Sequence, residues 1–119
     1  MTSIGVDVAK EQYEACAYAA EGSEHFEGSD GLERLLRFIE EHDESHVVME
    51  ATGHYERPLC EALQERGIAF TVVNPARARA FMTSVGRLAK TDPIDERLLA
   101  RMGEALSLEP TTLPSQARR

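Results

Sequence analysis

Residues 4–10 read Ile4-Gly5-Val6-Asp7-Val8-Ala9-Lys10, and the placing of one acid among apolar positions decides how the rest of the chain is read. Successive side chains of a strand point to opposite faces, so Ile4, Val6 and Val8 share one face and Asp7 lies on the other. Burying a carboxylate there costs on the order of several kcal/mol unless a cation or a hydrogen-bond network compensates it. Such a residue points to a use. Glu50 closes a second apolar run, His46-Val47-Val48-Met49, and Asp92 and Asp95 lie three apart at an expected helix start.

Working outward, the first 27 residues read as three strands in antiparallel hairpins: TSIGVDVA, then QYEACAYAA with Tyr13, Ala15, Ala17 and Ala19 on one face, then a short strand around His25-Phe26. Asp30-Gly31-Leu32-Glu33 has the form of a capping box, with Asp30 as N-cap and Glu33 reaching back. It opens a helix that places Leu32, Leu35, Leu36 and Ile39 at core spacing. The strand ending on Glu50 follows, then a helix from about Tyr55 to Arg66 stopped by Gly67. Ala69–Val73 reads as another buried strand closed by Asn74-Pro75, with Pro75 in the first turn of a helix to about Val85. Gly86 breaks that helix, and a further one opens at Thr91-Asp92-Pro93 with Ile94, Leu98, Leu99 and Met102 on one side. Residues 107–119 lack periodicity and are expected to form a loose tail after a domain spanning 1–106. Hairpin strands followed by a helix–strand–helix–strand–helix series predict an α/β layered domain with a mixed sheet. The Glu50 strand lies beside the Asp7 strand if the sheet changes direction there, and ligands gather at such switches.

At 119 residues the chain is expected to make one domain. No run approaches the roughly 18 apolar residues of a membrane span, and the N-terminus has no secretory pattern, which predicts a cytoplasmic protein. Cys16 and Cys60 lack metal or disulfide spacing and read as reduced, buried thiols. The net charge of −8 argues against nucleic acid, but the distribution of charge along the chain argues for it. Residues 1–56 carry three basic residues against fourteen acids, whereas residues 57–119 carry ten against seven. Arg77, Arg79, Arg87 and Lys90 fall in an acid-free stretch leading into Asp92 and Asp95, either as a solvated face or as a phosphate-binding stripe.

If Asp7, Glu50, Asp92 and Asp95 converge, they require cations: two like charges at ~4 Å repel by roughly 4 kcal/mol at an effective dielectric of 20. An all-oxygen donor set suits Mg²⁺ or Mn²⁺, and two such ions could clamp a phosphodiester. The bland reading makes Asp92 and Asp95 helix caps, though capping and ligation are compatible. His54 has no metal-spaced partner, and His25, His42 and His46 are scattered over segments that read as polar surface. Two readings stay open beside a nuclease: an ATP-binding domain of the actin-like and sugar-kinase type, and a non-enzymatic nucleic-acid or oligomerisation module. The first wants Gly, Ser or Thr after the first strand, where Ala9-Lys10-Glu11 stand.

Ile4 to Lys10, Met49-Glu50-Ala51-Thr52-Gly53-His54-Tyr55, Val73-Asn74-Pro75 and Ala89-Lys90-Thr91-Asp92-Pro93-Ile94-Asp95 together resemble the DEDD transposases, which include Piv-type DNA invertases. The resemblance implies an RNase H-like, RuvC-like fold: three antiparallel strands, then two parallel strands, flanked by helices. It implies that Asp7, Glu50, Asp92 and Asp95 are the catalytic tetrad, holding two Mg²⁺ (or Mn²⁺) ions for DNA strand cleavage and exchange during transposition. Lys10, Arg77, Arg79, Arg87, Lys90 and Thr91 then become candidate nucleic-acid contacts. The implied partners are DNA, a guide RNA in some members, and further copies of the chain, with a nucleoid-associated location. Family members continue into a coiled-coil region and a C-terminal domain with a serine nucleophile, so this chain is expected to be the N-terminal part.

Overall fold

The computed structural model describes residues 1–86 and 93–114. Five strands and four helices follow in order: β1 (Thr2–Ala9), β2 (Gln12–Ala17), β3 (Glu24–Glu27), α1 (Gly31–Glu40), β4 (Ser45–Glu50), α2 (Arg57–Glu65), β5 (Ala69–Val73), α3 (Pro75–Ser84) and α4 (Glu96–Ala105). The strands form one sheet in the order β3-β2-β1-β4-β5. β1–β2 and β2–β3 are antiparallel, and β1–β4 and β4–β5 are parallel. This is the expected RNase H-like mixed sheet, with its change of direction at β1 and helices on both faces.

The alternation read from β1 holds. Ile4, Val6 and Val8 join Tyr13, Ala15 and Ala17 of β2, with Val47 and Met49 of β4, in a core covered by α1 and α2. Leu35, Leu36 and Ile39 of α1, and Leu59 and Leu63 of α2, seal that side. Ala19 falls beyond β2, in a turn with φ +71°. On the opposite face Val48 and Val73 meet Ala78 and Met82 of α3 and Leu99 and Met102 of α4.

Three local expectations are corrected. Asp30 precedes α1 but makes no side-chain cap hydrogen bond. Its carboxylate turns to Arg34, with Nε at 3.2 Å from Oδ1, and Glu33 accepts from Arg66 at 2.9 Å across the α1–α2 groove. Charge-assisted pairs have displaced the capping box. The last helix does not open at Thr91-Asp92-Pro93: it begins at Glu96, and Asp95 is its N-cap, with Oδ1 accepting from the amides of Arg97 and Leu98, each at 3.1 Å. Asp95 therefore stands at the helix entrance. Finally, residues 108–113 are held against the sheet. Leu108 is buried, the Thr111 amide donates to Phe70 O at 2.7 Å, and Thr71 Oγ1 donates to Glu109 O at 2.8 Å. The open edge of β5 has unpaired backbone groups to offer, and an aperiodic segment can satisfy them.

His46 also departs from its surface reading. It is buried, and its Nε2 lies 2.7 Å from Thr71 Oγ1. Burial holds its pKa below the ordinary imidazole value.

Candidate functional site

Asp7 and Glu50 each follow one position after the Val6–Met49 pair of the parallel β1–β4 ladder. They emerge on neighbouring strands at the end of the sheet where its direction changes. Both lie on the face opposite Val6 and Met49, the side covered by α4. The sequence achieves this locally through alternation alone.

Bringing a helix to the same place requires close packing. A Cβ on Gly5 would stand 1.9 Å from Glu96 O and 2.5 Å from Ala100 N. One on Gly103 would stand 2.3 Å from Ser3 Oγ and 2.7 Å from Val48 Cγ2. Two glycines, one on each element, thus let the α4 backbone rest directly on β1. Ser3 Oγ fastens the contact by donating to Ala100 O at 2.8 Å. The N-terminal end of α4, with Asp95 and Glu96, is thereby set over Asp7.

The electrostatics record the result. Asp7 is exposed, not buried as its apolar neighbours suggested; partial desolvation still pushes its carboxyl above the usual carboxylate range, and the negative charges of Glu96, Asp95 and Glu14 push it further. Glu50 is raised by burial and by Asp7, while the Arg79 guanidinium on α3 works the other way. Asp7 and Glu50 thus both sit where neighbouring negative charge disfavours their ionised forms. Among the described residues, no three of the carboxylates grip tightly enough to hold an ion as they stand.

Of the expected tetrad, Asp7, Glu50 and Asp95 are brought to one end of the sheet. Asp92 lies outside the described residues, as do Arg87, Lys90 and Thr91. Arg79 is placed near Glu50, and Arg77 is exposed on the same helix. Lys10 occupies the β1–β2 turn and lines a shallow depression with Glu27, Gly28 and Ser29. Two further acids join the site without having been singled out by the sequence. Glu14 stands directly across from Asp7 in the β1–β2 register and is hydrogen-bonded to His25. Glu96 is nearly fully buried and accepts a hydrogen bond from Ser23 Oγ in the β2–β3 connection. Hairpin pairing of Asp7 with Glu14 could have been counted from the two-residue turn. Glu96 left no such trace, since it has the form of an ordinary first-turn helix acid.

Both cysteines are buried free thiols. Burial pushes Cys60 up to about 11 and also raises Cys16, so neither is a nucleophile at neutral pH. Among the described residues no helix is long and apolar enough to cross a membrane.

The sequence has counterparts. Residues 4–119 match a family model for transposases of the DEDD type. The chain belongs to the DEDD transposase family. It is 32% identical over 109 residues to a pilin gene-inverting protein of Moraxella bovis, and 31% identical over 109 residues to that of Moraxella lacunata. Each alignment covers 86% of this chain and 34% of the relative. This family domain thus spans about a third of the length of those curated relatives.

Proposed function

We propose that the chain is the catalytic domain of a DNA recombinase, acting in Mg²⁺- or Mn²⁺-dependent strand cleavage and exchange during transposition or inversion. The observation carrying this reading is the gathering of Asp7, Glu50 and Asp95 from three separate segments at one end of the sheet, where Asp7 is raised by its acidic neighbours and Glu50 by Asp7. An oxygen-only donor set of this kind fits hard divalent cations. Asp7, Glu50 and Asp95 would hold the metal together with Asp92, and Asp95 can do so through Oδ2 because its cap uses Oδ1. Bound there, divalent ions would stabilise charge on the attacking and leaving oxygens of a phosphodiester.

The protein's own groups supply the rest. Arg79, beside Glu50, would receive a phosphate oxygen and orient the scissile strand, with Arg77 extending that path along α3. Lys10, Arg87, Lys90 and Thr91 are proposed as further backbone contacts. Ser23 positions Glu96, and through it the entrance of α4. The proposed partner is DNA, with a guide RNA and self-association in the assembled recombinase, at work in the cytoplasm on the nucleoid.

The test is conversion of branched and supercoiled DNA in Mg²⁺ or Mn²⁺, by this chain and by the longest protein that carries it. Cleavage or recombination abolished by Asp7→Asn, with DNA affinity retained, is the expected result. Activity unchanged by Asp7→Asn refutes the reading. Salt-sensitive DNA binding indifferent to metal and to Asp7 would instead favour a non-enzymatic nucleic-acid module.

A further inference from the structure

The loop that follows Glu50 displays two aromatic rings that the core does not use. His54 and Tyr55 pack edge to face, with centroids 4.7 Å apart and planes at 62°. Tyr55 is 42% exposed, one of four large apolar side chains left open among the described residues, with Met1, Tyr18 and Val85. An edge-to-face pair leaves a ring face uncovered by its partner.

The loop beneath them is tied down. The Ala51 amide donates to Val73 O at 3.0 Å, fixing the exit from β4 against β5. Thr52 Oγ1 accepts from the Tyr55 amide at 2.9 Å, and Glu56 Oε1 accepts from the Thr52 amide at 3.1 Å and from the Thr52 hydroxyl. Gly53, at φ +108°, makes the bend that this reciprocal capping requires. Burial alone would raise the Glu56 pKa, but the Thr52 hydrogen bonds outweigh it and hold the carboxyl below its ordinary value. An exposed aromatic pair on a preorganised loop loses little entropy when a flat partner settles on it.

Its position gives the partner's chemistry. The loop leaves the sheet at Glu50, whose carboxylate is also the neighbour of Arg79. A nucleic-acid strand with a phosphate at the acids and Arg79 would carry its flanking base towards this loop. We infer that the His54–Tyr55 pair is a stacking platform for an unpaired nucleobase flanking the phosphate held at the acidic site. The platform rests on the nucleic-acid reading proposed above and deepens it. It would keep one base out of the duplex stack while the strand is positioned, and it is indifferent to base identity because every base has a π-face.

The test uses single-stranded oligonucleotides carrying 2-aminopurine, matched abasic oligonucleotides, and deoxy and ribo versions of each, with the chain in Mg²⁺. The wild-type chain should prefer base-bearing over abasic strands by about 5-fold or more and quench the 2-aminopurine, consistent with typical base–aromatic stacking. Tyr55→Phe should keep both the preference and the quenching. Tyr55→Leu, equally folded by thermal melting because the site is exposed, should lose both while binding abasic strands as before. Discrimination between deoxy and ribo strands identifies which nucleic acid supplies the base, and either supports the platform. Equal binding of base-bearing and abasic strands, or an unchanged preference in Tyr55→Leu, overturns it. Failure of the wild-type chain to bind any strand also overturns it, whereas the metal site is decided separately by Mn²⁺ binding.

Discussion

On the α1–α2 side of the sheet, β1 presents Ile4, Val6 and Val8; on the α4 side the same strand presents Ser3, Gly5 and Asp7. The first face fills space with branched side chains that meet Leu35, Ile39, Leu59 and Leu63. The second gives up volume so that backbone can touch backbone. A sheet face filled with large residues would hold the α4 backbone away from the strand. With glycine at positions 5 and 103 the helix comes closer, and its N-terminal acids reach Asp7. One face therefore supplies stability, and the other converts part of that stability into proximity between like charges.

The contrast can be broken from either side. The largest effect is expected on the apolar face: Leu63→Ala, at a fully buried position, should cost about 2–5 kcal/mol in urea unfolding. It should leave Mn²⁺-induced stabilisation of the remaining native molecules intact. Coupled loss of metal binding would show that the faces are not separable. Next comes Gly5→Ala. Its methyl would meet the α4 backbone at 1.9 and 2.5 Å, so the helix must shift, at about 1–3 kcal/mol. Here the metal-induced stabilisation should disappear along with the stability. Retained Mn²⁺ binding in Gly5→Ala would separate the acids from the close packing.

A smaller effect concerns pH, through His46 on the α4 side of β4. Its folded pKa is depressed by burial, so the unfolded chain binds a proton that the folded chain refuses. Stability is then complete above the ordinary imidazole value of 6.5 and declines as pH falls through and below it. His46→Gln should flatten the stability–pH curve in that window, read by thermal melting in a buffer series. An unaltered curve would assign the slope to other groups.

Much of the fold was legible because it is written in short-range patterns. Alternation gave β1, a continuous apolar run gave β4, and Asn74-Pro75 gave the start of α3, where Asn74 Oδ1 accepts from the Ala76 amide at 2.7 Å. Asp7 followed from that alternation, and Glu50 from its place at the close of the apolar run. What escaped was set by tertiary contact. Gly5 reads as an isolated glycine without a phosphate loop, because its partner Glu96 lies some ninety residues on. Glu96 reads as a helix acid because nothing local announces Ser23. Asp30 and Glu33 have the letters of a capping box, but Arg34 and Arg66 draw their carboxylates away. The 108–113 segment carries no period because its order comes from the edge of β5 and not from its own pattern.

Calorimetric and thermal-shift titration with Mn²⁺, on the wild-type chain and on Asp7→Asn, decides whether the acids carried by β1, β4 and the entrance of α4 form one divalent-cation site. Saturable binding by the wild-type chain is predicted, with stabilisation approaching about 2.7 kcal/mol at a hundredfold excess over the dissociation constant, and its loss in Asp7→Asn. Without metal, Asp7→Asn should be equally or slightly more stable at neutral pH, by up to about 1 kcal/mol, because a repelled carboxylate is removed. Absence of binding at millimolar Mn²⁺, or equal binding by Asp7→Asn, would contradict a shared site.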